Sequence, residues 1–358
     1  MELAHARAEL ERGIRLGWHT GAQVYASLRG ETVADFAVGE ARPGVPMVPD
    51  TIVEWASATK PVTCSAAALL WQRGLFDLDD PVCRHLPEFA ESGKQAVTVR
   101  HLLTHSGGLS DPGRQGRAWD DYADAVCRAP LLDGWVPGKR FAYNSVAMWA
   151  VAALVVRLSG RPFWRFVREE ICEPLGLADS WIGMPADVYR AYGHDRFAAI
   201  PEVPHSGSEG HVTWGRPTGG GHGPIRDLGR FYAAVLLRRP PLPLAPPVIE
   251  AMTTRQLCGV DDEFLGATVD RGLGYQLGSS YAGHGYGPHA SRRTFGHGGG
   301  SWSQAFADPE HGLAAAVYFN GRVDAATQAE RNPAVLAALY EGLGLARGGG
   351  SAPHPGAP

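Results

Sequence analysis

Lysine is scarce in this 358-residue chain: it occurs only at positions 60, 94 and 139, against thirty arginines. Cysteine is scarce too. Cys64, Cys83, Cys127, Cys172 and Cys258 are odd in number and never spaced C-x-x-C, which argues against a disulfide framework and a cysteine-based zinc site and predicts reduced, mostly buried thiols. Long apolar runs are missing. The best one, from Val146 to Val156, is too short to cross a bilayer and meets Arg157 at once. No stretch is rich in basic residues, and a formal charge of -4 with a pI near 6.4 leaves no electrostatic footprint for nucleic acid. The opening MELAHARAELERGIRLGW carries charges throughout its first dozen positions and lacks the apolar core of a secretory signal, so a soluble, cytoplasmic protein is expected. What is present is a globular composition, 44% hydrophobic and 20% charged, with chain enough for one large domain or two interlocked ones.

No internal repeat divides the chain, and the only low-complexity piece is the apolar-poor tail 346–358, expected to be disordered. A helix through Leu16 leads into QVYASLRG and ETVADFAVG, two alternating segments parted by Gly30, which predicts a hairpin. Residues 57–73 read as a largely buried helix, because Ala66-Ala67-Ala68-Leu69-Leu70-Trp71 is apolar almost all round. From about 97 to 235 helices alternate with glycine-rich loops, among them DPGRQGRAWDDY and HSGSEGHVTWGRPTGGGHG. Strand patterns return near the end in RGLGYQLG, RRTFGHGG, SWSQAFAD and GLAAAVYFN, before a last helix over about 325–343. The expected fold is α/β plus α: an antiparallel sheet built from both chain ends and flanked by the terminal helices, with a helical domain inserted. In this division 1–60 and 266–345 form the α/β part and 61–265 the mainly helical part with active-site loops.

One of the three lysines stands three residues after a serine, in VEWASATKPVTC. On a helix these positions share a face about 5–6 Å apart, so Lys60 stands over Ser57. A serine hydroxyl needs a base, and an amine serves as one only when burial or a helix N-terminus lowers its pKa. Spacing alone decides little, since 17 serines and three lysines supply about 0.14 such pairs by chance. The placement is more telling. Of lysine and arginine only lysine can shed its proton near neutrality, and arginine fills nearly every other such position. Two further segments complete a candidate site. In WVPGKRFAYNSVAMW, Tyr143 opens another buried helix, where its phenol could share a proton with Lys60. In RRTFGHGGGSW, His297, Gly298 and Gly299 lie on a late strand that lets a substrate lie close, with Gly300 N–H as a second oxyanion donor beside that of Ser57.

At these residues the chain resembles the serine β-lactamase and penicillin-binding-protein superfamily, known by its S-x-x-K motif. It is most similar to the class C-like branch, which includes family VIII carboxylesterases, D-aminopeptidases and acyltransferases of natural-product pathways. TVRHLLTHSGGL and PGKRFAYNS are similar to family stretches, and the resemblance covers about residues 8 to 343. It implies a β-lactamase-like fold, Ser57 as acylated nucleophile, Lys60 and Tyr143 as general base and acid, and Ser57 with Gly300 as oxyanion donors. No cofactor and no metal is implied. Two departures narrow the chemistry. Where class C lactamases carry Tyr-x-Asn, this chain has Tyr143-Asn144-Ser145. Where they carry Lys-Thr-Gly it has His297-Gly298-Gly299, so the cation that would hold a β-lactam carboxylate becomes a group mostly neutral at pH 7. The resemblance therefore implies an acyl-enzyme that cleaves or transfers the acyl group of a small ester, thioester or amide, with a biosynthetic pathway as a fitting setting. The partners would be a small-molecule acyl donor and an acceptor, with neither nucleic acid nor membrane. A β-lactamase or D-amino-acid amidase is the alternative. A non-catalytic penicillin-binding-like module would be expected to have lost Ser57, Lys60 or Tyr143.

The remaining candidates read more plainly. His101 and His105 lack a third ligand and any H-E-x-x-H pattern, so structural hydrogen bonding is expected of them. His205, His211, His222, His284 and His289 sit in glycine-rich loops and are expected at the surface. Ser106 is no G-x-S-x-G elbow, because position 104 is threonine. Trp214 and Trp302 are expected to border the cleft and hold an apolar acyl or aryl group, with plain packing an equal reading.

Overall fold

The computed structural model describes residues 3–113, 118–278 and 285–346. His284 and nearly all of the tail, from 347 on, lie outside them. Strands β1 (Gly21–Leu28) and β2 (Glu31–Arg42) form the expected hairpin across Gly30, which has φ +92°. Strands β10 (Phe295–Gly299), β11 (Ser303–Asp308) and β12 (Leu313–Phe319) stand where the late strand patterns placed them. The two chain ends meet in the middle of the sheet, where β1 and β12 pair antiparallel from Ala22↔Phe319 to Leu28↔Leu313. With β3 (Val45–Pro46), β7 (Leu257–Asp262), β8 (Ala267–Arg271) and β9 (Gln276–Leu277), they build a nine-stranded sheet of order β3-β2-β1-β12-β11-β10-β9-β8-β7.

Side chains alternate between the faces of a strand, and here both faces are covered. Val24, Ala315, Val317 and Phe319 point toward the terminal helices Ala4–Arg15 and Ala325–Gly342, meeting Leu10, Leu336 and Leu339. Tyr25, Ala314, Ala316 and Tyr318 point the other way, toward the helix Ile225–Leu237 and the main core. Double coverage explains why GLAAAVYFN reads as continuously apolar. The helix Ile225–Leu237 lies close to the sheet because a Cβ at Gly229 would sit 2.2 Å from the Tyr25 ring.

The β7–β8 hairpin is a strand pair that the sequence patterns did not predict. Its pairing slips between Leu257 and Val260, and β7 is mostly exposed, so neither strand shows a clean alternation. A second small sheet was equally hidden: β4 (Val53–Glu54), β5 (Trp181–Ile182) and β6 (Gly221–Gly223) pair in the order β4-β6-β5. It holds the segment that carries Ser57 against the glycine-rich 216–223 loop.

Candidate active site

The Ser57 segment is fixed before its helix begins. Trp55 N donates to Gly221 O at 2.8 Å and the Trp55 indole to Gly223 O at 3.1 Å. Ala56 then adopts φ +45°, a left-handed conformation that costs a residue with a Cβ about 1–2 kcal/mol. A single 3₁₀ turn, Ala56–Thr59, passes into the α-helix Lys60–Gln72. The expected helix over 57–73 thus opens with a tighter turn, and three residues per turn brings positions i and i+3 into eclipse. Ser57 Oγ and Lys60 Nζ accordingly lie 2.9 Å apart.

Lys60 is wholly buried and also donates to Thr218 O at 2.8 Å. Burial pushes its pKa below the usual lysine range and nearby Arg271 pushes the same way, while the Tyr143 phenol opposes them. Among the described residues no carboxylate pairs with this amine. Thr218 belongs to a loop tied back on itself, in which Gly219 N and Gly220 N donate to Arg216 O at 3.3 and 2.8 Å. The Arg216 guanidinium in turn donates to buried Glu54 at 2.6 Å, and His211 Nε2 lies 3.1 Å from the same carboxylate oxygen.

This cluster corrects the expectation that the loop histidines are exposed. His211 is half-buried, and His222, 2% exposed, has its pKa held down to about 4 by burial. His289 is half-buried, with Nε2 3.5 Å from Glu341. His205 is exposed as expected. Sequence gave no sign that Glu54, two residues before Ala56 on a short strand, anchors the loop that holds Lys60.

Tyr143 was expected to open a helix. It stands instead in the irregular segment before the helix Ala147–Ser159, with its backbone N–H donated to Asp262 Oδ1 at 3.0 Å. Lys60 Nζ lies 4.8 Å from its ring centroid. Tyr143 Oη makes no hydrogen bond of acceptable geometry, yet it stands close enough to Lys60 to favour the charged amine. Asn144 is engaged with backbone: Oδ1 accepts from Val146 N at 2.8 Å and Nδ2 donates to Leu109 O at 2.5 Å. His105 is buried against the Tyr143 ring at 4.8 Å, with Nδ1 2.9 Å from Asn144 O. His101 caps the short helix Val99–Leu103 by accepting from Thr98 N at 3.2 Å.

Strand β10 closes the site. A Cβ on Gly299 would lie 2.2 Å from Trp55 O and 2.9 Å from Ala58 N, so only glycine lets β10 press against the Ser57 segment. Ser303 Oγ donates to Trp55 O at 2.6 Å and stitches β11 to the same place. His297 is buried and its pKa falls well below the ordinary value, so the ring is neutral at pH 7. Its Nδ1 lies 2.6 Å from Gly298 O, and a carbonyl only accepts, so Nδ1 carries the proton. Nε2 is therefore a lone pair, and it has no partner.

Ser57, Tyr143, Ser145, His297, Gly298 and Gly300 line one cavity of about 310 Å³. Three further residues that the sequence did not single out share it: Phe264 and Leu265 from the β7–β8 turn, and Gln276, whose Oε1 lies 3.3 Å from Gly298 N. An apolar pair at the tip of an otherwise polar hairpin, DDEFLG, was the available signal. Trp214 packs instead against Trp149, with ring centroids 5.2 Å apart, and Trp302 lies beneath Gly300, so neither is among the residues lining the cavity. Among the described residues no three histidine, cysteine, aspartate or glutamate side chains group to hold a metal, and no helix is long and apolar enough to cross a membrane.

The chain belongs to the beta-lactamase family, whose model matches residues 8–340. It is 33% identical over 189 residues to the esterase/beta-lactamase LipL of Mycobacterium tuberculosis, which takes in 51% of this chain and 43% of LipL. It is 28% identical over 288 residues to monacolin J acid methylbutanoyltransferase of Aspergillus terreus, covering 71% of this chain and 68% of that protein. Among solved structures, a penicillin-binding protein homolog from Caulobacter crescentus superimposes with a TM-score of 0.79 at 29% identity, over 95% of this chain and 97% of that one. The chain thus spans less than half of LipL's own length but nearly all of a penicillin-binding-protein fold.

Proposed function

We propose that this protein is a serine esterase and acyltransferase that works through an acyl-enzyme on Ser57. The carrying observation is the wholly buried Lys60 amine, 2.9 Å from Ser57 Oγ and, among the described residues, without a carboxylate to keep it charged. As the neutral amine, Lys60 donates one N–H to Thr218 O and offers its lone pair to the serine hydroxyl. Oγ then attacks the acyl carbonyl, and the oxyanion is met by the N–H groups of Ser57 and Gly300. Tyr143 Oη, free of other partners, delivers a proton to the leaving group and later takes one from the incoming nucleophile.

His297 shapes the choice of substrate. Its unpartnered lone pair at Nε2 attracts a donor, such as the hydroxyl or amine of an acceptor, and repels a carboxylate. Small esters, thioesters or amides fit this site better than β-lactams; the acyltransferase name of the Aspergillus terreus relative supports the same class, while the name of LipL covers esterase and beta-lactamase alike.

Hydrolysis and transfer share the acyl-enzyme and differ in what attacks it. Product partition with p-nitrophenyl butyrate across a series of small alcohols and amines, read by mass spectrometry, separates them. A transferase yields the new ester or amide with faster donor consumption, beyond what acceptor concentration alone would give. Butyrate as the dominant product at every acceptor concentration, with turnover unchanged, would reduce the proposal to a plain esterase.

A further inference from the structure

The β7–β8 turn reaches the cavity from the far edge of the sheet, and one carboxylate oxygen at its start joins it to the Tyr143 segment. Asp262 Oδ1 accepts from Phe264 N at 3.0 Å and Leu265 N at 3.1 Å, closing its own turn, and from Tyr143 N at 3.0 Å. The seam continues to either side. Glu263 N donates to Phe141 O at 3.1 Å, and the Glu263 carboxylate forms a two-pronged pair with Arg140 at 2.8 and 2.7 Å. Asp262 Oδ2 has no hydrogen bond and lies 3.5 Å from the Arg271 guanidinium, itself buried 5.4 Å from the rings of Tyr143 and Phe141. The turn presents an exposed aromatic: Phe264 is 70% accessible, lines the cavity that holds Ser57, and sits 6.0 Å from the Tyr143 ring. A large apolar side chain left this open at the mouth of a cavity gains by being covered.

We propose that Phe264 and Leu265 form an acyl subsite for apolar acyl chains longer than acetyl, and that Asp262 is a positioning residue that holds this subsite in register with Tyr143. The proposal rests on the reading of Ser57 as nucleophile. An acyl chain covering Phe264 gains about fourfold in binding per methylene buried. Because one oxygen accepts from both the turn and the tyrosine backbone, Asp262 couples the position of the acyl chain to that of the proton donor.

The test is kcat/KM for p-nitrophenyl acetate, butyrate and hexanoate with the wild type, Phe264→Ala and Asp262→Asn, alongside fluorophosphonate labelling of Ser57 in each. The wild type should prefer hexanoate to acetate, and Phe264→Ala, at an exposed position that leaves the fold intact, should lower that ratio at least tenfold. A ratio within twofold of the wild type, with Ser57 labelled normally, overturns the subsite and leaves the nucleophile standing. Failure of Ser57 to label in the wild type overturns the underlying reading instead. The titratable and charged groups around Tyr143 are Lys60, His105, His297, Arg271 and Asp262. Asp262→Asn leaves Arg271 without its carboxylate, so the limbs of the kcat/KM against pH profile should move to lower pH, a change that loosened packing alone would not produce. An unmoved profile overturns the positioning role.

Discussion

Adding one methyl group at Gly299 should disable the enzyme while barely unfolding it. The new Cβ would lie 2.2 Å from Trp55 O and 2.9 Å from Ala58 N. Ordinary contact needs about 3.4 Å, so β10 and the Ser57 segment must part by roughly 1 Å, and displacements of that size at a reacting centre cost about 100-fold in rate. Overpacking of this kind costs about 1–3 kcal/mol of stability, which the fold can bear. Gly210→Ala is the control: it adds the same methyl where nothing lies within 4 Å. The assay is kcat/KM with p-nitrophenyl butyrate, with the thermal midpoint measured on the same samples. Gly299→Ala is expected near one hundredth of the wild type and Gly210→Ala near unity. Activity of Gly299→Ala within threefold of the wild type would refute the claim that close approach of β10 sets the geometry of the nucleophile.

Lys60→Arg should fall about 10³-fold in kcat/KM, as far as Lys60→Ala, because a guanidinium keeps its charge and accepts no proton; recovery by arginine to within tenfold would make the lysine merely electrostatic. Arg216→Ala should release the loop that holds Thr218 O against Lys60 and lower kcat roughly tenfold; an unchanged kcat would show that the Glu54 cluster only stabilises the fold. Acid should weaken the protein through its buried histidines, since burial holds His19 near pKa 3 and His222 near 4 while the unfolded chain titrates near 6.5. Folding stability from these groups is intact above pH 6.5 and is lost as pH falls, by about 2 kcal/mol for each at pH 5. Urea midpoints at pH 7.5 and 5 measure the loss, and equal midpoints would contradict it.

Much of this architecture is legible in the sequence because its signals are periodic or chemically rare. The hairpin about Gly30, the late strands from Phe295 to Phe319 and the terminal helices follow from alternation and turn residues. Ser57, Lys60, Tyr143 and His297 stand out by residue type and spacing, and the structure brings all four to one place. What stayed hidden depends on contacts between distant segments. Nothing local in Glu54 or Arg216 reveals that they meet across 162 positions, and β7 has no apolar face to betray it. Trp214 read as a cleft residue because its loop is rich in glycine, yet those glycines serve backbone approach to Trp55, and the indole joins the core beside Trp149.

The central claim is a covalent intermediate on Ser57, and intact-mass spectrometry after rapid quench tests it most directly. With p-nitrophenyl butyrate the full chain should gain one butyryl group, and peptide mapping should place it on the segment that contains Ser57. Ser57→Ala should gain nothing, and Lys60→Ala should acylate far more slowly. A butyryl group on another residue, or equal acylation of Ser57→Ala, would contradict the account.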